Sequence, residues 1–475
     1  MPAVFAIDQG TTGSKAYRLD SSGKFERVGG FDHRQIYPQQ GWVEHDPLEL
    51  LDHVRKLLEQ AGDAAALGLA NQGETVIAWD ADSGAPVCNA IVWQDARTLP
   101  LTEQLKKEGA AKLITARTGL PLDPYFSASK LRWIVDNVAQ AKELLKRGKL
   151  RLGTSDSFFL DRLAGTYATD VTTASRTSLM NLDTGQWDPE LCRLFGVPIE
   201  ALAEIRPTAG AFGSAGRLPI VANVVDQQAA LFGHGCRQGG QAKITFGTGA
   251  FALAVADRNV AADAAAGMIR TVAWKLGPRP LAYAMEGGIY DAAAAVNWAR
   301  TLGLFKDYAE IDLFAAPPAI ERGLVFVPAL SGLSCPYWDR NAAGMWLGLG
   351  ADTTKTDMMQ ALLEGVALLA AEVIAAMARA TPLQGSISID GGLSNNRYFC
   401  NFLGRALGQP VVVAGSADLT GLGCAQLALI GAGLADLDTL PPPPPARNRV
   451  TSATPLPEAA RKRFRDAVKR CSNWR

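Results

Sequence analysis

The sequence predicts an α/β protein built from two topologically similar halves, and three observations predict it. A hairpin of strand, Gly/Thr-rich turn and strand opens the chain. A second hairpin of the same kind appears about halfway along, and apolar strands alternate with amphipathic helices between them. With 475 residues the chain is too long for one core, and about 150 residues per domain points to two or three units.

Taken in order, Val4–Ile7 is a short apolar strand that runs into Asp8-Gln9-Gly10-Thr11-Thr12-Gly13, and Lys15–Leu19 runs back out. Asp46-Pro47 opens a helix with a cap residue followed by proline at the first position. Leu48, Leu51, Val54 and Leu58 supply its apolar stripe, and Gly62 stops it. Ala64–Ala70 returns as a strand before the polar string Asn71-Gln72-Gly73-Glu74-Thr75. Ile220–Val225 is another apolar strand, ending at Asp226 where a helical stretch begins. Ala242–Phe246, the turn Gly247-Thr248-Gly249 and Ala250–Val255 then repeat the opening hairpin. The expected boundary lies at Gly235–Cys236, giving an amino-terminal domain 1–235 and a carboxy-terminal domain 236–475. The apolar stretch Ala361–Ala380 contains Glu364, Glu372 and Arg379, so it reads as a buried helix and not as a membrane span. Pro441–Pro445 is a stiff spacer, and a short terminal helix is expected within Pro457–Arg475.

Composition narrows the function. Lys+Arg and Asp+Glu are equal at 47 each, and no basic stripe is present, which argues against nucleic-acid and membrane partners and for a small-molecule one. The seven cysteines are scattered and never form a CxxC pair, and only four histidines occur, which speaks against a zinc site and a disulfide framework. The amino terminus lacks the pattern of a signal peptide, so a cytoplasmic location is the default expectation.

Four constellations carry chemistry. In Asp8–Lys15 the glycines allow a polyanion close to the backbone, hydroxyls and N–H groups bond its oxygens, and Lys15 adds positive charge. Asp8, at a strand end, is placed to hold magnesium through water; a plain hairpin turn reads about equally well. Gly247-Thr248-Gly249 is an ordinary turn by itself and gains weight as the echo of the first. Asp390-Gly391-Gly392-Leu393-Ser394-Asn395-Asn396 follows the strand Ile387–Ile389 and precedes a helix, a junction that faces a helix amino terminus toward an anion or a nucleotide. Asp226 at its strand tip can take a proton from an attacking hydroxyl, although a helix N-cap explains it too.

These residues resemble the FGGY family of carbohydrate kinases, and within it the glycerol kinases above other members, from Val4 to roughly Leu434. One family signature is matched by Tyr125–Asn137 and the other by Gly344–Glu364. Strings similar to glycerol kinases include Gly41-Trp42-Val43-Glu44-His45-Asp46-Pro47 and Asp226-Gln227-Gln228-Ala229-Ala230-Leu231-Phe232-Gly233. The resemblance implies a ribonuclease-H-like, actin-like fold of two domains around a cleft, an ATP-dependent transfer of phosphate to a terminal hydroxyl of a small polyol, and ATP with Mg2+ as cofactors. It implies Asp8 as the magnesium-associated carboxylate, and Thr12, with Thr11, Gly13 and Lys15 of the same turn, as phosphate contacts; Lys15 stands where arginine is usual. Asp226 is implied as general base, and Thr248, Gly391, Gly392 and Asn395 as nucleotide contacts. Glu74, Trp93, Tyr125, Gln227 and Phe251 are implied to line the polyol pocket.

Two departures stand out. Gly73 replaces the arginine that bonds glycerol hydroxyls in glycerol kinases, so weaker glycerol binding, or room for a longer four- or five-carbon polyol or ketose, is expected. The segment Ala211–Arg217 is shorter than the loop that binds fructose bisphosphate in some bacterial members, so that control is not expected. An actin- or Hsp70-like scaffold and a non-catalytic nucleotide-binding homologue are the competing classes. The first needs no polyol pocket, and the second would not need Asp8, Asp226 and both glycine turns. The oligomeric state is left open, with a homodimer or a homotetramer as the candidates.

Overall fold

The computed structural model describes residues 2–256, 260, 267–450 and 454–475. They form two compact units. The first comprises Met1–Gly235, Arg270–Tyr283 and Asp418–Pro443, and the second Cys236–Ile269, Ala284–Ala417 and Pro444–Arg475. The chain therefore crosses between units at Gly235–Cys236 and later returns twice to the first, which a single boundary does not anticipate.

The first unit is organised by a six-stranded sheet of β1 (Ala3–Gln9), β2 (Gly13–Asp20), β3 (Phe25–Asp32), β4 (Ala66–Asn71), β5 (Ser214–Ala215) and β6 (Leu218–Val225), in the order β5-β6-β4-β1-β2-β3. β1 runs antiparallel to β2 and parallel to β4, and β4 runs parallel to β6. Val4–Ile7 are fully buried, as expected for a central strand covered on both faces. The helix Pro47–Leu58 covers one face, its cap Asp46 accepting the Leu48 N–H at 2.8 Å. Its buried stripe is Leu50, Leu51, Val54 and Leu57, whereas Leu48 is exposed, so the sequence reading placed that stripe slightly off. The helix Leu419–Gly431 packs on the opposite face. A Cβ on Gly68 would lie 2.9 Å from Cys424 Sγ, and one on Gly421 2.3 Å from the Tyr17 ring. Glycine at these positions lets helix and sheet approach closely.

Register places the site. Gln9 lies opposite Asn71, and Asn71 opposite Val225. The three parallel strands end level, so Gly10, Gln72 and Asp226 leave the sheet at one edge, the carboxyl edge where α/β sheets bind ligands.

The second unit contains, in order, β8-β7-β9-β10-β11, where β7 is Ala242–Phe246, β8 Ala250–Ala256, β9 Ile387–Gly391, β10 Val411–Val413 and β11 Asn448–Val450. β7 and β8 form an antiparallel hairpin, and β9 lies parallel beside β7. The opening of the first unit is thus repeated, and the echo read from the sequence is a repeated strand arrangement. The helix Lys355–Ala380 is long and apolar enough to cross a membrane by length and composition, but it is buried without interruption from Met359 to Ala370. The terminal helix spans Glu458–Cys471 and buries Ala460, Phe464 and Val468.

Candidate active site

In the first unit the turn between β1 and β2 is closed by the Gly10 N–H donating to the Gly13 carbonyl at 3.0 Å. A Cβ on Gly13 would stand 2.7 Å from the Phe31 carbonyl oxygen, so this position requires glycine. Thr12 is exposed at the tip, while the Thr11 hydroxyl accepts the Trp93 indole N–H at 2.9 Å. Asp8 and Lys15 are cross-strand partners. Burial pushes the Asp8 carboxyl up to about 6, with Lys15 opposing the shift and the Asp418 carboxylate adding to it. Asp418 accepts the Tyr17 hydroxyl at 2.7 Å and lies 3.7 Å from Lys15 Nζ. The Asp8 carboxylate receives no hydrogen bond from another described residue. A desolvated carboxylate with a second one nearby is a favourable place for a cation.

Beyond the ends of β4 and β6 lie the residues read as a polyol pocket. Glu74 adopts φ 57°, left-handed backbone that is uncommon outside glycine and concentrates at functional sites. Its carboxylate is buried and accepts a 2.6 Å hydrogen bond from Arg176 Nε, and Arg176 is itself buried. Trp93 and Tyr125 meet edge to face with centroids 5.5 Å apart, and the Arg176 guanidinium lies 5.9 Å from the Tyr125 ring centroid. One connected set thus runs Thr11–Trp93–Tyr125–Arg176–Glu74, joining the Gly10–Gly13 turn to the residues read as a polyol pocket. The loop carrying Tyr125 is pinned from below by fully buried Lys130, whose ammonium donates to the carbonyls of Pro124 at 2.8 Å, Tyr125 at 2.6 Å and Phe126 at 3.1 Å. Burial pulls its pKa down to about 8.

Asp226 is the first residue of the helix Asp226–Gly233, with Val225 in the cap position, so the N-cap explanation of this aspartate does not hold. Its Oδ1 accepts the Gln227 N–H at 2.7 Å, and both residues are half-buried at the sheet edge. The end of β6 is held by a buried polar relay. The Val225 N–H donates to Thr172 Oγ1 at 3.0 Å, the Thr172 hydroxyl to Asp170 at 2.9 Å, and the Thr208 hydroxyl to Asp170 at 3.0 Å. Gly73 does not leave open space: a Cβ there would stand 2.8 Å from Val225 Cγ2. The expected extra room beside Gly73 is therefore taken at its base by a valine methyl.

The remaining candidates lie on the second unit. Phe251 is on β8, opposite Thr245 of β7. The carbonyls of Gly247 and Thr248 accept N–H groups from Ala293 at 3.2 Å and from Ala292 and Ala294 at 3.0 Å, so this turn braces the start of the helix Ala293–Thr301. Gly249 and Gly391 are required by close approach: a Cβ would lie 2.4 Å from the Ile289 carbonyl oxygen and 2.2 Å from that of Phe246. A cavity of about 780 Å³ opens between Ala293, Val296 and Asn297 on one side and Gly392, Asn395 and Asn396 on the other. Gly391 and Thr248 do not line it. Its volume is in the range of small-molecule sites. Asn396 caps the helix Arg397–Leu407 by accepting the Phe399 N–H at 2.7 Å, and Asn395 Oδ1 accepts Arg447 Nη1 at 2.8 Å.

The structure thus gathers Asp8, Thr11, Thr12, Gly13, Lys15, Gly73, Glu74, Trp93, Tyr125, Asp226 and Gln227 in the first unit. Thr248, Phe251, Gly391, Gly392 and Asn395 are in the second. Sequence reasoning missed Arg176, Lys130, Asp418 and Arg447. A buried guanidinium carries no local mark, and Lys130 lay within a signature read only as a match.

The FGGY family of carbohydrate kinases matches with its N-terminal domain over residues 3–233 and its C-terminal domain over residues 242–432. A glycerol kinase of Citrifermentans bemidjiense is 41% identical over 458 residues, covering 93% of this chain and 92% of that protein. A glycerol kinase of Thermus brockianus is 40% identical over 496 residues, covering 100% and 99%. Among solved structures, Plasmodium falciparum glycerol kinase with ADP superposes with a TM-score of 0.89 at 29% identity, covering 99% of this chain and 98% of that one.

Proposed function

This chain belongs to the FGGY family of carbohydrate kinases, and from that premise we propose that it transfers the γ-phosphate of ATP to a terminal hydroxyl of glycerol. The observation that carries this reading is the common edge at which β1, β4 and β6 end, with Asp226 directly after β6 and Glu74 three residues beyond the end of β4. Asp226 takes the hydroxyl proton as the oxygen attacks. Glu74, held by Arg176, accepts hydrogen bonds from the other hydroxyls, and the Trp93 and Tyr125 rings pack on the carbon chain. Thr11, Thr12 and Lys15 meet the phosphate oxygens, whose charge spreads in the transition state. The nucleotide base and ribose occupy the cavity bordered by Gly392 and Asn395, whose volume of about 780 Å³ suits a small-molecule ligand. Asp8 and Asp418 fit a magnesium ion; when bound, it offsets the phosphate charge.

Val225 decides between three carbons and a longer chain. Because its methyl occupies the space at the base of Gly73, the missing arginine removes a hydrogen-bonding partner without lengthening the pocket. Glycerol is expected to be the best substrate in a panel of three- to five-carbon polyols compared by kcat/KM. A four- or five-carbon polyol or ketose with the higher value would overturn this reading. Gly73→Arg alone should lose about tenfold in kcat/KM, because overpacking against Val225 costs roughly 1–3 kcal/mol. Adding Val225→Ala should restore it. If the single variant gains activity, the steric argument is wrong.

Gly392 offers a direct test of the nucleotide side. A Cβ there meets nothing within 4 Å, and the residue borders the cavity. Gly392→Val should keep the wild-type melting temperature and raise the KM for ATP about tenfold, a loss of ~1.4 kcal/mol of binding. An unchanged KM would place the nucleotide elsewhere.

A further inference from the structure

Three of the four histidines, though spread over the sequence, meet in the first unit at the end of β3 and on the helix Pro47–Leu58 and its approach. His33 Nδ1 and His53 Nδ1 face each other at 3.0 Å, and their rings stack with centroids 5.2 Å apart. One carboxylate oxygen of Glu49, a turn before His53 on the same helix, completes a set of three ligand atoms lying within 4.8 Å of one another. His45 stands next to this set, its ring 6.1 Å from that of His33. Sequence composition argued against zinc because the cysteines form no CxxC pair and only four histidines occur. The fold supplies the proximity that spacing does not.

We propose that His33, His53 and Glu49 form a binding site for a single divalent transition-metal ion of the zinc type, behind the phosphate-facing turn and separate from the Asp8 carboxylate. Two imidazole nitrogens bound to one tetrahedral ion at ~2.0–2.1 Å stand about 3.3 Å apart, so the observed pair needs to open by only a few tenths of an ångström. Two imidazoles and one carboxylate are the donor set such ions select over magnesium, which prefers oxygen. A fourth position is left for water.

The surroundings suit ligation. With Nδ1 on the metal, His33 Nε2 carries the hydrogen, and it already points at Ser14 Oγ, 3.1 Å away, and toward the Gln9 side-chain amide at 3.5 Å. The Ser14 hydroxyl is the outer partner that ligating histidines use, and the Gln9 amide keeps its orientation because its N–H donates to the Gly10 carbonyl at 2.8 Å. Phe31 stacks on His53 at 5.0 Å and walls one side. Arg34 is the cation at the site: its backbone N–H donates to Glu49 Oε1 at 2.9 Å and its Nε lies 3.8 Å from Oε2. An incoming ion competes with Arg34 for one carboxylate oxygen. The site is tied to the turn, since the His33 N–H donates to the Thr12 carbonyl at 2.9 Å; an ion there stiffens the segment that carries Thr12 and Gly13.

The test uses the full-length protein, stripped with a chelator and returned to buffer containing excess magnesium. Zinc is titrated calorimetrically, and cobalt is followed by its visible ligand-field band. One equivalent is expected to bind, with a rise in melting temperature and no sulfur-to-metal charge-transfer band. His53→Gln and Glu49→Gln should each weaken zinc binding at least tenfold and abolish the thermal shift, while their metal-free melting curves match the wild type. Glu49 is partly exposed on its helix, so that variant carries the test if His53→Gln fails to fold. Absence of binding in the wild type, binding unchanged in both variants, or a thiolate band would each overturn the proposal.

Discussion

Asp226→Asn is expected to bind ATP and glycerol nearly as the wild type does, yet to turn over about a hundred- to ten-thousand-fold more slowly, the usual loss when a general base is removed. The substitution preserves shape, and a side-chain oxygen remains to accept the Gln227 N–H that now meets Oδ1 at 2.7 Å. The relay from Val225 through Thr172 to Asp170 does not involve the Asp226 side chain, so the strand end should stay in place. What disappears is the ability to accept a proton. The measurement is kcat alongside nucleotide and glycerol affinity. Near-normal kcat would assign the proton to another group, and a collapse of both affinities would show that Asp226 is a structural residue.

Arg176→Met should cost about 3–5 kcal/mol of stability because it breaks a buried ion pair by removing the guanidinium that is hydrogen-bonded to the Glu74 carboxylate. Glu74 and Arg176 are 3% and 2% exposed, with 2.6 Å between Nε and Oε1, so solvent cannot substitute for the guanidinium. Glu74 is also held in left-handed backbone, and its tether fixes the direction in which it presents its second oxygen. The double variant Glu74→Gln/Arg176→Met removes both charges and should recover most of the stability without recovering activity. Equilibrium denaturation of the four proteins in this cycle gives the coupling. If Arg176→Met alone unfolds at the wild-type denaturant concentration, the pair does not hold the pocket together.

Much of the site was legible because chemistry-bearing residues sit where apolar strands stop. Asp8, Asn71 and Asp226 each follow a run that packs on both faces, and parallel pairing then brings those ends level. The turn at Gly10–Gly13 and its partner at Gly247–Gly249 were legible as glycine-dependent hairpins, and close contacts at Gly13 and Gly249 explain the requirement. Residues whose role depends on a distant partner were not legible. Arg176, within Ala174-Ser175-Arg176-Thr177, reads as an ordinary surface cation until Glu74, 102 positions earlier, is placed against it. The meaning of Gly73 depended on Val225, and the stripe on the first helix shifted from Leu48 to Leu50 and Leu57 because helical periodicity fixes a face only to within about one residue.

A ribosome delivers the chain from its first residue onward, and the first unit, begun first, is completed only after most of the second has been made. Asp8, Glu74, Arg176 and Asp226 have all emerged when Gly235 does, but the helix Leu419–Gly431 that covers one face of their sheet is still unmade. At 5–20 residues per second the wait is roughly 10–40 s. Throughout it the face carrying Tyr17 and Gly68 has no covering layer, and the second unit up to Ala417 is translated in the interval. A nascent chain arrested at Ala417 would hold every proposed polyol-binding residue of the first unit on a sheet with one side bare, a species suited to chaperone capture and unsuited to catalysis.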